Sequence, residues 1–172
     1  MRVAGPGTPG EATAGVSPSA GPFRAPSGMH GMPSIRFLAL GVFRDGTRIL
    51  VGRGYDSVKR QHFHRPLGGA VEFGETAAEA LRREIREELR AEIEEPVRLG
   101  VLENLFTWEG RPGHEVITVF DVAFADRSLY DRPSLPLHED VWDGEAVWID
   151  LSAPPAEPLY PDGLRALLRD AG

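Results

Sequence analysis

GGAVEFGETAAEALRREIREELRAEI (68–93) is the stretch whose reading decides this chain. Two glycines open it. Thr76 stands three residues ahead of Glu79, the pairing of a capping box, and so marks the start of a helix. Ala77, Leu81, Ile85 and Leu89 recur every four residues and give that helix a core-facing stripe. Glu84, Glu87 and Glu88 lie at i, i+3 and i+4, on one arc beside the stripe. Arg82, Arg83, Arg86 and Arg90 take the remaining arc with Glu79. The pattern predicts a helix from about Thr76 to about Ala91, and Pro96 stops any continuation.

Three carboxylates on one arc repel one another. In solvent each such pair costs a few tenths of a kcal/mol. Beside a packed cleft they need a counter-charge, and a hard divalent cation with oxygen ligands, Mg²⁺ or Mn²⁺, supplies one. Arg83 is placed to reach Glu87 at i+4. Glu75, at the junction of loop and helix, can reach the same neighbourhood. Taken alone, the helix also reads as a surface helix laced with Glu–Arg pairs. The glycine loop at fixed spacing separates the two readings.

Gly69, Glu75, Arg83-Glu84-Ile85 and Glu87-Glu88 resemble the box of the Nudix hydrolase family. Its pattern runs Gly, five residues, Glu, seven residues, Arg-Glu-aliphatic, one residue, Glu-Glu, one residue, Gly-aliphatic. Every charged position matches at its spacing. The later glycine is Arg90 here, followed by Ala91, which puts the end of the helix in question rather than the acidic residues. The resemblance implies an α/β fold, an α/β/α sandwich with a mixed β-sheet between helices. It implies a metal cluster of Glu84, Glu87 and Glu88 with a carbonyl from Gly68 or Gly69, and catalytic parts for Glu75 and Arg83, which would orient the cluster. Glu84 is its first choice as general base, with Glu115 and Glu139 the rivals outside the box.

The implied activity is metal-dependent hydrolysis of a nucleoside diphosphate linked to another moiety X. The cofactor would be Mg²⁺ or Mn²⁺ and the partner a small nucleotide-type molecule. The alternative is a non-catalytic sensor of a nucleotide-like ligand, a type that loses box carboxylates; all four are present here. Where ADP-ribose pyrophosphatases of the family carry a proline past the box, this chain has Leu105-Phe106-Thr107. No other sub-family mark is found, so the resemblance does not name X. A homodimer is a further possibility for so small an enzyme of this fold.

Outward from the box, IRFLALGVF (35–43) and RILVGRGY (48–55) read as strands around an Asp45-Gly46 turn. Residues 56–65 form a polar stretch with His62 and His64. RPLGGAVEFGE (65–75) is a short strand breaking into a loop. VRLGVLENLFTW (97–108) and HEVITVFDVAFA (114–125) are strands joined by a turn over 109–113. Residues 126–144 read as a polar loop, EAVWIDL (145–151) as a last strand, and Tyr160-Pro161 as the opening of a final helix. Arg53 and Arg65 flank the expected cleft as phosphate contacts or as solvated strand ends. Trp108 and Phe106 are candidates to stack on a base or to pack in the core. Glu115 is a substrate-site candidate, and His62, His64 and His114 are either substrate contacts or structural. Trp142 and Trp148 read as packing residues.

Residues 1–33 are mostly Gly, Pro, Ala, Ser and Thr and have little to bury, so a disordered tail is expected ahead of a domain over 34–172. In the 172 residues, cysteine is absent, which excludes disulfides, Cys-ligated zinc and a cysteine nucleophile. Net charge is −7, so there is no overall basic footprint for nucleic acid. No window approaches the apolar length of a membrane span, and a cytoplasmic location is the expectation.

Overall fold

The computed structural model describes residues 34–138, 144–154 and 156–171. The expected tail, Glu139 and Trp142 lie outside them. Among the described residues eight strands are formed: β1 (Ile35–Asp45), β2 (Arg48–Asp56), β3 (Gln61–Arg65), β4 (Leu67–Ala70), β5 (Val97–Trp108), β6 (Arg111–Val122), β7 (Ser134–Pro136) and β8 (Glu145–Asp150). Helix α1 covers Ala77–Leu89 and α2 covers Leu164–Asp170. The sheet order is β5-β6-β1-β2-β8-β7, with β3 on β2 and β4 on β1. β1 and β6 are parallel and the other pairs antiparallel, so the sheet is mixed.

Alternation along β1 sends its side chains to two cores. Ala39 and Phe43 pack on one face with Leu81 and Ile85 of α1. Leu38, Leu40 and Val42 pack on the other with Leu164 and Leu168 of α2. Helices thus cover both faces, as the α/β/α expectation has it. Among the described residues no helix is long and apolar enough to cross a membrane.

Local structure departs from the expectations in four places. The polar stretch 56–65 contains a strand: β3 folds back on β2, with Gly54 opposite Phe63 and Gly52 opposite Arg65. The turn after β5 is tighter than 109–113. Glu109 and Gly110 both take positive φ, 51° and 72°, so two residues suffice and β6 starts at Arg111. The loop after β6 holds a 3₁₀ turn (Arg127–Asp131) and β7. The last helix begins at Leu164, after Tyr160-Pro161 rather than on it.

The β2–β3 and β5–β6 turns brace each other. Asp56 accepts the Val58, Lys59 and Glu109 N–H groups, and Ser57 donates to the Glu109 carboxylate. Against the cost of burial, the backbone N–H bonds to Asp56 hold the Asp56 carboxyl below the usual range.

Candidate active site

Helix α1 starts as expected. Thr76 Oγ1 accepts the Glu79 N–H at 3.2 Å, and Glu79 Oε2 accepts the Thr76 N–H at 2.8 Å. Both bonds satisfy donors that a helix start leaves open. The apolar stripe is seated through Leu81 and Ile85, which are fully buried. That seating turns the acidic arc toward β4 and its glycines.

Arg83 organises the arc. Its Nη2 and Nε donate to the two Glu75 oxygens at 2.8 and 3.3 Å. Nη1 donates to Glu84 at 2.8 Å and to Glu87 at 3.4 Å, and Nη2 also reaches the Ala70 carbonyl at 2.9 Å. One planar guanidinium therefore holds three carboxylates and the end of β4. The Arg83 bond holds Glu75 below the usual carboxylate range. Glu84 goes the other way: burial pushes its carboxyl up, and the Arg83 bond offsets that only in part. Arg83 itself is pushed up, chiefly by its bond to Glu75.

Glu88 is buried, at 7% exposure, although a carboxylate on a helix is ordinarily solvated. Its Oε2 accepts the Gly68 N–H at 3.0 Å, and its backbone carbonyl accepts the His138 N–H at 2.7 Å. The last turn of α1 is thus tied to β4 on one side and to the 138 loop on the other. Gly68 has φ 122°, and a Cβ there would lie 2.2 Å from the Ala39 carbonyl oxygen. A Cβ on Gly69 would lie 2.4 Å from Cδ of Glu84. Both glycines are therefore required, the first by backbone conformation and the second by the carboxylate pressed against it.

Glu88 and Gly68 line a small cavity of about 50 Å³ together with Arg53, Arg65, Phe63 and Leu137. Arg65 is buried there. Arg53 is at its edge and is engaged in an ion pair with Glu157, donating from Nε at 2.8 Å. His64 also approaches Glu157, with Nε2 at 3.3 Å, and burial lowers its pKa. Glu157 was not anticipated: it lies 104 positions from Arg53, and only the fold brings the two together.

The structure does not bring Glu115 to this cluster. Glu115 is 1% exposed on the α2 face of the sheet, paired with Arg36 and accepting from Asn104 Nδ2 at 3.2 Å. It shares that face with Ile117 and Val119, whereas α1 covers the opposite face. As a base beside the α1 carboxylates it is replaced by a buried structural ion pair. Trp108 and Phe106 line a second, larger cavity on the α2 side, with Phe63 shared between the two cavities. His62 stacks near Tyr55, and His114 lies 2.9 Å from Glu103. Trp148 packs on Tyr130 and donates to the Arg132 carbonyl at 3.0 Å, as a packing residue should.

The donors about Glu84 and Glu88 are all oxygens, which fits a hard divalent cation. Among the described residues, no three acidic or histidine side chains are already gathered as a closed metal cage. Glu84 and Glu87 are drawn to Arg83, while Glu88 has one oxygen on the Gly68 N–H. The orienting scaffold is present, and the atoms it offers a cation are oxygens of the carboxylates and of the glycine carbonyls.

A family model described as the NUDIX domain matches residues 32–170. The MutT NUDIX hydrolase of Burkholderia pseudomallei is 24% identical, with TM-score 0.59 over 81% of this chain and 99% of that one. The E. coli ORF135 protein is 19% identical, with TM-score 0.51 over 84% and 94%. A NUDIX hydrolase from Nitrosomonas europaea is 15% identical, with TM-score 0.54 over 80% and 88%. At these identities the structures speak for the fold. The family model speaks for most of the chain, and with the box geometry above it shows that this chain belongs to the Nudix hydrolase family.

Proposed function

We propose that this protein is a divalent-metal-dependent pyrophosphohydrolase that cleaves a nucleoside diphosphate linked to a moiety X. The observation that carries the reading is the Arg83 fork: it holds Glu75, Glu84 and Glu87 beside Gly68 and Gly69 of β4, with buried Glu88 one turn on from Glu84. Glu84, Glu87, Glu88 and a carbonyl of Gly68 or Gly69 would hold Mg²⁺ or Mn²⁺. When bound, the metal neutralises phosphate charge and acidifies water.

The chain's own groups do the rest. Glu84 accepts the proton of the attacking water. The water oxygen forms a new bond to phosphorus as the bridging P–O bond breaks. The products are a nucleoside monophosphate and X-phosphate. Glu75 acts through Arg83, fixing the fork that holds Glu84. Arg65, which lines the Glu88 cavity, is the proposed guanidinium contact for phosphate oxygens. Arg53 joins it only by leaving Glu157.

The test is phosphate release across triphosphates, ADP-ribose, nucleotide sugars and dinucleoside polyphosphates, with an added phosphatase. Each substrate is run with Mg²⁺ and with EDTA, for wild type and Glu88→Gln. Metal-dependent turnover of one class, lost in the variant, supports the reading and names X. Ligand binding without turnover of any class would point instead to a nucleotide-ligand sensor.

A further inference from the structure

The larger cavity holds a polar group that the chemistry above leaves unused. The cavity encloses about 210 Å³, several times the roughly 30 Å³ share of one liquid water. Phe63, Phe106, Trp108 and Tyr160 give it aromatic walls, and Asp56 and Asp162 add acidic ones. Among the described residues its one lining cation, Lys59, is already held by Asp56 and the Thr107 carbonyl. Acidic walls repel phosphate, while aromatic walls favour a flat, uncharged ring. Phe63 also borders the small cavity that contains Arg65 and Glu88. The two cavities thus meet at Phe63, one aromatic and acidic, the other lined by guanidinium groups.

Asn104 lines the larger cavity and is 6% exposed. Its Nδ2 donates to Glu115 Oε2 at 3.2 Å. Glu115 is buried, and its carboxylate accepts from Arg36 as well as from Asn104. A flipped amide would set oxygen against oxygen, so the Asn104 amide has one orientation. Its Oδ1 accepts from none of the described residues. The Arg36–Glu115–Asn104 chain therefore presents a single fixed acceptor in an aromatic cavity.

We propose that this cavity receives a purine base of the substrate and that Asn104 Oδ1 accepts a hydrogen bond from an N–H on the base edge. The assignment rests on the function proposed above. Glu115 is the positioning residue, acting through Asn104. A base without an N–H donor would cover that acceptor without pairing it, and that penalty is the source of discrimination.

The experiment compares AMP, GMP, purine riboside 5′-monophosphate and ribose 5-phosphate, with Mg²⁺ present. Binding is read by calorimetry, and the Trp108 indole N–H is followed by NMR. AMP or GMP should bind at least about tenfold tighter than purine riboside 5′-monophosphate, which lacks the amine. All three should shift the Trp108 signal, and ribose 5-phosphate should not. Asn104→Leu should abolish the difference between the purines, and Glu115→Gln should shrink it. Equal binding of the three purine nucleotides to the wild type, or an unmoved Trp108 signal, overturns the proposal without recourse to any variant. Hydrolysis is scored apart. Turnover of a nucleotide without this selectivity sinks the base assignment alone. Selective binding with no turnover of any substrate upholds the base site and sinks the hydrolase reading.

Discussion

Gly69 and Glu84 are in such close register that a Cβ on the glycine would fall 2.4 Å from the carboxyl carbon and 2.5 Å from Oε1. The same Oε1 accepts from Arg83 Nη1 at 2.8 Å. The carboxylate has no room to retreat without breaking that bond.

Gly69→Ala is therefore expected to displace Glu84 rather than to be absorbed. Overpacking of this kind costs about 1–3 kcal/mol. The loss of activity should exceed what that stability loss explains, on the order of a hundredfold in kcat/KM, because the placement of a reacting group is at stake. Urea denaturation and steady-state kinetics on the same preparation separate the two. A stable variant with wild-type kcat/KM would show that Glu84 has no role at the reacting centre.

The Arg83 fork predicts a pH-dependent stability. Its hydrogen bond holds Glu75 below the ordinary carboxylate value, so folded Glu75 binds fewer protons than unfolded Glu75. The stabilisation is complete above the unfolded value and is lost as pH falls through the folded one. Glu84 has the opposite sign. Burial raises its folded pKa above 4.5, so its ionised form costs stability near neutrality, and the cost fades as pH drops through the raised value. Arg83→Gln removes the charge that favours both ionised carboxylates. The wild type should exceed this variant by about 2 kcal/mol near neutral pH. The gap should narrow as both carboxyls protonate, toward about pH 3. Urea midpoints taken across the range check it; a gap independent of pH would mean that the fork is not electrostatically linked to these carboxyls.

Much of this site was legible because its logic is local. The capping box, the apolar stripe and the i, i+3, i+4 carboxylates are helical spacings, and α1 realises them as written. The two faces of β1 follow from strict alternation. What escaped was the pairing of residues far apart in the chain. Glu115 carries the same charge as the box glutamates, and nothing nearby says that Arg36, 79 positions away, will claim it on the opposite face. β3 escaped for a related reason: a short polar segment becomes a strand only because Gly52 and Gly54 give Phe63 and Arg65 a surface to lie on. Asn104 drew no notice, since an amide in a strand gains meaning only from the buried carboxylate beside it.

Arg90 is placed at the end of α1 in a conformation that favours glycine. It ends α1 in the left-handed region, at φ 54° and ψ 33°, the conformation that glycine at the end of a helix adopts without strain. The side chain is exposed. Arg90→Gly should relieve a penalty of about 1–2 kcal/mol, less the extra freedom glycine gives the unfolded chain, for a net gain of about 0.5–1 kcal/mol. Scanning calorimetry should show a higher Tm with unaltered kcat/KM. A lower Tm would mean that the arginine side chain contributes more than its backbone strain removes.

Divalent metal should stabilise the folded protein through Glu88, and this prediction does not depend on knowing the substrate. A ligand that binds only the native state at a hundredfold excess over Kd adds about 2.7 kcal/mol. For a domain of this size that raises Tm by roughly 5–10 °C. Glu88→Gln is a suitable control, because the amide oxygen can still accept the Gly68 N–H while the charge is gone. The variant should melt near the metal-free wild type and respond weakly to Mg²⁺ or Mn²⁺, whereas Glu87→Gln should respond more nearly like the wild type. Glu87 is 59% exposed and held at 3.4 Å by Arg83, so it is the least constrained of the three carboxylates. An equal Tm rise in wild type and Glu88→Gln would place the metal elsewhere. No rise in either, at millimolar metal, would leave the acidic arc as a scaffold neutralised by Arg83 alone.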